Sequence, residues 1–350
     1  MIDSKDISVV VQGAVSKTET PKCLKSIRKF LPDAEIILST WEGTDITGLE
    51  YDKLVLNKDP GAEPIKEFNS PQLYNNINRQ LLSTQNGLKK ASRKYAFKLR
   101  SDLILTSDKF LEYFNKFQER GKNYNLFEQK ILIPTLFTKC TVDYCKGSKD
   151  IPVPFHISDW WFFGLKTDLD KYFLDTPLVK EPEFTNYFYN NKNAINPYGK
   201  TKFQFAPEQY YGYSCFSRNF PDIQMKDASD FNEILMNKYE QCLVNNFIIL
   251  EYKQSGIYLN KYPYSKNEFF AGEQYLTMYN FYTYEFLYKQ FCDKKYSVAD
   301  YKLFYKNKNF YKDFLRIYKH INFLKNPKQS FIKKLEQIFL GIPISTISFF

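Results

Sequence analysis

The chain opens on an apolar, mostly β-branched run, residues 7–11 (ISVVV), that stops at Gln12 and Gly13. Such a run is the mark of a parallel strand covered on both faces. The period then changes: Cys23, Leu24, Ile27 and Phe30 recur at helical spacing behind Thr18, Thr20 and Pro21, and Pro32 closes the segment. Residues 34–38 return to strand character with 39–43 as their exit, and 54–56 form a third short strand ending in 57–61. Leu81, Leu82, Leu88 and Ala91 predict a helix within 75–91, and 95–99 a buried strand that delivers Arg100, Ser101 and Asp102. Strand, helix, strand, short strand, helix, strand predicts an α/β fold around a mostly parallel sheet.

Beyond Thr106 the pattern is weaker. Phe110, Leu111, Phe114 and Phe117 predict a helix face, 130–134 (KILIP) a strand, and Trp160 to Phe163 an aromatic strand entered at His156 and Asp159. Residues 186–204 show no period and predict a mobile loop. Pro207 then opens a helix with Glu208 in its first turn, where the helix dipole favours the ionised carboxylate. From about Tyr264 aromatics and lysines alternate at near-helical spacing across 275–291, 301–305 and 310–323. The expected organisation is therefore a domain at 1–264 and a helical C-terminal region at 265–350.

In a sheet of this kind the strand exits meet along one edge, and ligands collect at the carboxyl ends of the strands. Gln12, Gly13, Trp41, Glu42, Asp59, Arg100 and Asp102 would then line a common crevice. Each has a plainer reading as well. Gly13 and Gly61 suit ordinary turns, Trp41 a core aromatic, and Asp59 a turn before Pro60. His156 is one of only two histidines in the chain, and an isolated histidine is commonly a structural residue.

The ordered segments VVQGAV (10–15), ILSTWEG (37–43), NKDPG (57–61), NRQ (78–80) and KLRSDLIL (98–105) resemble the WavE family. That family is assigned to lipopolysaccharide synthesis. The resemblance is strongest over the first third, returns at HISDW (156–160) and APEQYY (206–211), and fades after Tyr264. More broadly, a helix, a strand and a carboxylate at the strand's end resemble the heart of GT-A glycosyltransferases, a Rossmann-like mixed sheet flanked by helices. The resemblance implies a nucleotide-sugar donor and a hydroxyl acceptor on a lipid-linked or surface glycan. It implies Gln12, Gly13, Trp41, Asp59, Arg79, Arg100 and Ser101 as donor contacts. It also implies a divalent cation, Mn²⁺ or Mg²⁺, on Asp102, with His156 as a further ligand. Glu208 or Asp159 would take the proton of the attacking hydroxyl.

The sequence departs from the GT-A pattern at one telling place. Arg100 stands where the first acid of the metal-binding carboxylate pair is expected, and an arginine cannot ligate a metal. Three readings stay open. Asp102 alone holds a cation with donor phosphates and water; Arg100 itself neutralises the diphosphate; or Arg100 and Asp102 form a structural ion pair. A second departure is Gln209, which leaves Glu208 as the only acid of its expected pair.

Charge and composition then narrow the class. The net charge is +10, but no nucleic-acid-binding module accompanies it, and lysine is spread throughout. No nucleic-acid partner is expected. Six cysteines without a CxxC pair and the scarcity of histidine predict reduced thiols rather than a structural zinc. Charges before the first strand argue against a signal peptide, and no apolar run reaches membrane-spanning length. Folding in the cytoplasm is expected. The lysine-flanked apolar tail at 330–350 suits peripheral docking on an anionic inner-membrane surface.

Overall fold

The computed structural model describes residues 2–65, 74–142, 151–198, 201–260 and 278–298. A seven-stranded sheet lies at its centre. Its strands are β1 (Ile7–Gln12), β2 (Glu35–Trp41), β3 (Lys53–Asn57), β4 (Tyr95–Arg100), β5 (Ile131–Pro134), β6 (Trp161–Leu165) and β7 (Phe247–Leu250), in the spatial order β7-β5-β6-β4-β1-β2-β3. Pairings β1–β2, β1–β4, β2–β3 and β5–β7 are parallel, whereas β6 runs antiparallel to both β4 and β5. The fold is thus α/β with a mixed, mostly parallel sheet flanked by helices, as the alternation of periods predicts.

Every position of β1 is buried, which explains its unbroken apolar run. Helix α1 (Glu19–Phe30) buries Cys23, Leu24 and Ile27, and its chain turns away at Leu31, whose following proline disfavours further helix. Helix α2 (Ile77–Lys90) lies across β1, β2 and β3. Helix α3 (Lys166–Phe173) follows β6 directly and packs on α2 and on α4 (Pro207–Asn219). Alternation along β4 and β6 separates two aromatic layers. Phe97 and Phe163 meet Phe110 and Phe114 on one face, and Phe162 meets Tyr172 and Phe173 on the other. Each such buried ring contributes roughly 1.5–3 kcal/mol.

Two expectations need correction. The helix expected through Phe117 is only a short 3-10 stretch, Lys109–Tyr113. Phe110, Leu111 and Phe114 are still buried, but Phe117 takes a left-handed φ of 56°. It packs instead into a cage of Tyr284, Tyr288 and Tyr296 at and beyond α5 (Phe281–Phe291), with ring centroids 5.0–5.4 Å away. The segment expected as a mobile loop contains a helical turn, Tyr187–Asn190, with Phe188 buried. Its backbone is tied down by Phe188 N to Lys202 O and Gln204 N to Phe184 O, both at 2.9 Å. The sequence hid this because the anchors are nonperiodic side chains and distant carbonyls.

One compact unit comprises residues 1–231 and 235–298 and includes α5. The expected boundary after 264 and the apolar tail lie outside the described residues. No helix among the described residues is long and apolar enough to cross a membrane.

Candidate functional site

The chain leaves β1 toward β2 and β3 on one side and later places β4 on the other, so the strand order reverses between β1 and β4. That reversal opens a crevice at their carboxyl ends. Gln12 faces Arg100 in the β1–β4 register, and Ser101 N donates to Gln12 O at 3.0 Å. Gly13 takes φ +114°, a conformation that side chains disfavour, and its missing Cβ would lie 3.6 Å from Ser101 Oγ. The Ser101 hydroxyl donates to Ala14 O at 2.6 Å, pinning the two strand exits together. The Gln12 side chain is turned inward, its Oε1 accepting from Ser83 Oγ on α2 at 2.8 Å.

Because β6 runs against its neighbours, its beginning rather than its end lies at this edge. Arg100 N donates to Trp160 O at 3.3 Å, which sets Asp159 beside the exit of β4. Lys98, buried in the middle of β4, donates from its ammonium to the Asp159 carbonyl, with its charge 5.8 Å from the Phe162 ring centre. Burial pushes the Lys98 ammonium down to about 8, with Asp159 opposing that shift. Asp159 is only 4 % exposed, yet its carboxylate has no hydrogen-bond partner among the described residues.

Glu208 arrives from α4. Ile157 N donates to Glu208 O at 3.3 Å, fastening the turn before Asp159 to the first turn of the helix. A Cβ on Gly212 would stand 2.3 Å from Phe155 O, so glycine permits this approach one turn further on. Burial, and next the Asp159 charge, push the Glu208 carboxyl up to about 7, against Lys139 and Arg100. Burial holds Lys139 below its ordinary value, with Glu208 opposing. This is a pair of carboxylates with cations at its border. One of the two, Glu208, is poised to gain or lose a proton near neutrality.

His156 lies in the same turn but is engaged in structure. Its Nδ1 is 3.0 Å from Phe137 O and therefore carries the proton, and its own carbonyl accepts from Lys139 N and Tyr239 Oη at 2.9 Å. Burial, then the Lys139 charge, push the imidazole down to about 3, so it is neutral. Phe137 and Phe155, on either side of this clamp, both have left-handed φ values, 64° and 62°. Tyr198 closes the same region, its ring 6.0 Å from His156 and its hydroxyl donating to Gln209 Oε1 at 2.9 Å. Gln209 is fully buried and donates to Pro154 O, so this position anchors the helix start.

Other expected residues stand apart from this cluster. Arg79 is spent on its own neighbours: Nε and Nη2 clasp Asp59 at 2.8 and 2.6 Å, and Nη1 donates to Asn76 Oδ1 at 3.0 Å. The Arg79 charge, chiefly through that clasp, holds Asp59 below the usual carboxylate range. Trp41 is half-buried at the end of β2, opposite Asn57.

The donor set does not fit the expected divalent cation. Both Asp102 oxygens accept from Arg100, Nε to Oδ1 at 3.1 Å and Nη2 to Oδ2 at 2.9 Å. Among the described residues no three His, Cys, Asp or Glu side chains converge as a metal shell. His156 uses Nδ1 on a backbone carbonyl, and Arg100 offers only donors.

Sequence reasoning passed over Lys98 and Lys139. A lysine inside an otherwise apolar strand, the fourth residue of YAFKLR, was the available signal for the first. Nothing local marks Lys139, whose charge bears on both Glu208 and His156.

Among solved structures, the crystal structure of S. aureus TarS is similar at 11 % identity with a TM-score of 0.31, over 60 % of this chain and 33 % of that one. This chain therefore spans about a third of that protein's length. No curated protein matches. The family model described as WavE lipopolysaccharide synthesis matches residues 7–318, from β1 through both HISDW and APEQYY. With most of its length inside that match, the chain belongs to the WavE lipopolysaccharide synthesis family.

Proposed function

We propose that this protein is a glycosyltransferase that moves a sugar from a nucleotide-sugar to a hydroxyl of a cell-surface glycan, of the lipopolysaccharide or lipooligosaccharide kind. The reading rests on one observation above the rest. Asp159 and Glu208, without side-chain hydrogen-bond partners among the described residues, share a cationic border at the carboxyl edge of the sheet. Family membership supports a glycan as the material worked on.

In this reading the donor lies along the β1–β4 crevice, its backbone approach at Gly13 and Ser101, with Gln12 and Trp41 beside it. The acceptor hydroxyl comes from the side of Asp159 and Glu208. As the new bond forms between that oxygen and the anomeric carbon, the bond to the leaving phosphate breaks. The hydroxyl proton passes to Glu208, the group ionising near neutrality. Asp159, held by its own carbonyl on Lys98, orients the acceptor.

The test is nucleotide release by the purified full chain from a panel of UDP-, GDP-, ADP- and CMP-sugars, with and without a lipooligosaccharide acceptor. One donor is expected to be consumed faster when acceptor is added, and Glu208→Gln to slow that reaction by about 10²–10⁴. Failure of the chain to bind or consume any sugar nucleotide would overturn the reading.

A further inference from the structure

The geometry points to Arg100 as the group that grips the donor's diphosphate where a divalent cation was expected, with Asp102 as the residue that positions it. This rests on the sugar-transfer reading and adds the charge that receives the leaving group.

The fork of Arg100 is fixed from two directions. Nε and Nη2 lie side by side on the two Asp102 oxygens, 3.1 and 2.9 Å away. The guanidinium carbon sits 5.5 Å from the Trp160 ring centre, and the backbone of the same tryptophan accepts from Arg100 N. An arginine held both by a carboxylate and by an aromatic ring has little rotamer freedom left to lose on binding. Nη1 has no hydrogen-bond partner among the described residues, and the side chain keeps 23 % of its surface exposed. Arg100 ends β4 opposite Gln12, at the β1–β4 crevice. It stands next to the exits at Gly13 and Ser101, where a backbone can come close to a ligand. A planar fork of N–H donors matches two oxygens of one phosphate, or one non-bridging oxygen from each phosphate of a diphosphate.

The same geometry disfavours a cation at Asp102. To ligate one, the carboxylate would have to release two charge-assisted hydrogen bonds and leave the dication beside a guanidinium. Hard cations also need several oxygen ligands, and among the described residues no group of three His, Cys, Asp or Glu side chains forms such a shell. Asp102 therefore acts through Arg100: it aims the fork and keeps its charge in place against burial.

Calorimetric titration of the full chain with UDP, GDP, ADP and inorganic pyrophosphate, in EDTA and again in Mn²⁺, tests this. The diphosphate that binds best is expected to bind in EDTA within about threefold of its affinity in Mn²⁺. Arg100→Gln should weaken it by about tenfold or more while leaving the affinity for the matching nucleoside unchanged. Arg100→Lys, which keeps the charge but not the fork, should restore only part of the loss. Asp102→Asn should weaken binding by several-fold without creating or removing a Mn²⁺ response, the signature of a positioning residue. Melting curves of each variant separate loss of binding from loss of fold.

Wild-type binding that vanishes in EDTA and returns with Mn²⁺, through Asp102, would overturn the proposal. So would an Arg100→Gln variant that binds normally but melts earlier, since the pair would then be structural only. In either case acceptor-dependent sugar transfer by the wild type leaves the functional reading standing. If no diphosphate binds and no sugar nucleotide turns over, both fall.

Discussion

Replacing Glu208 by Gln should make the protein more stable at alkaline pH while removing its activity. Glu208 carries a carboxyl whose ordinary value near 4.5 is pushed up to about 7 by burial and then by Asp159. A rise of that size disfavours the ionised form by roughly 3 kcal/mol. Glu208 keeps some contact with solvent, so half of that, ~1.5 kcal/mol, is the working figure after screening. A raised carboxyl binds its proton more tightly in the folded state than in the unfolded chain. Its contribution to stability is therefore whole below pH 4.5 and is lost as pH climbs through about 7. Glutamine keeps the shape and never ionises. Wild type and Glu208→Gln should thus melt together near pH 4, whereas near pH 8.5 the variant should melt about 2–4 °C higher. Calorimetric scans at the two pH values, paired with initial rates, give the measurement. An equal melting difference at both values, or a wild type that is the more stable at pH 8.5, would refute the electrostatic account of this site.

Three other variants probe its surroundings. Asp159→Asn is expected to raise the acceptor KM more than it lowers kcat, as loss of a contact made before the chemistry should; steady-state kinetics with acceptor varied decides this. Lys98→Met keeps length and burial but frees the Asp159 carbonyl, so transfer should fall by about tenfold or more for the loss of one buried charged hydrogen bond. Far-UV dichroism should show an unchanged fold, and an unchanged rate would mean that Lys98 has no hold on Asp159. Gly212→Ala drives a Cβ into Phe155 O, and should cost about 1–3 kcal/mol in urea unfolding despite alanine's better helix propensity.

The sheet was legible because its strands are apolar on both faces and its helices amphipathic, so period alone separates them. The crevice between β1 and β4 follows from the same pattern, since Gln12, Gly13, Arg100 and Ser101 end adjacent strands. The direction of β6 was not legible. WFFGL reads the same in either sense, and only pairing with Leu99 and Leu132 shows that Asp159 enters at the edge formed by the carboxyl ends of β1 and β4. Arg79 and Asp59, separated by twenty positions, find each other across the end of α2, and nothing in NKDPG or NRQ announces that pairing. His156 stood out by rarity, but its role is set by the Phe137 carbonyl, which lies nineteen residues upstream.

The place of β6 between β4 and β5 also bears on how the protein forms. β1 to β4 and their two helices are contiguous in sequence and can assemble from local contacts as the chain emerges. The next strand to pair with β4 is not its successor β5 but β6, about sixty residues further along, and the parallel pair of β5 and β7 joins the rest of the sheet only through β6. Until then β4 presents an open edge rich in aromatic and aliphatic residues, a template for pairing with the wrong chain. Non-local pairing of this kind is slow. The strand whose entry brings Asp159 to the edge of β4 is thus also the one whose arrival ends the interval in which a nascent chain is most exposed to aggregation.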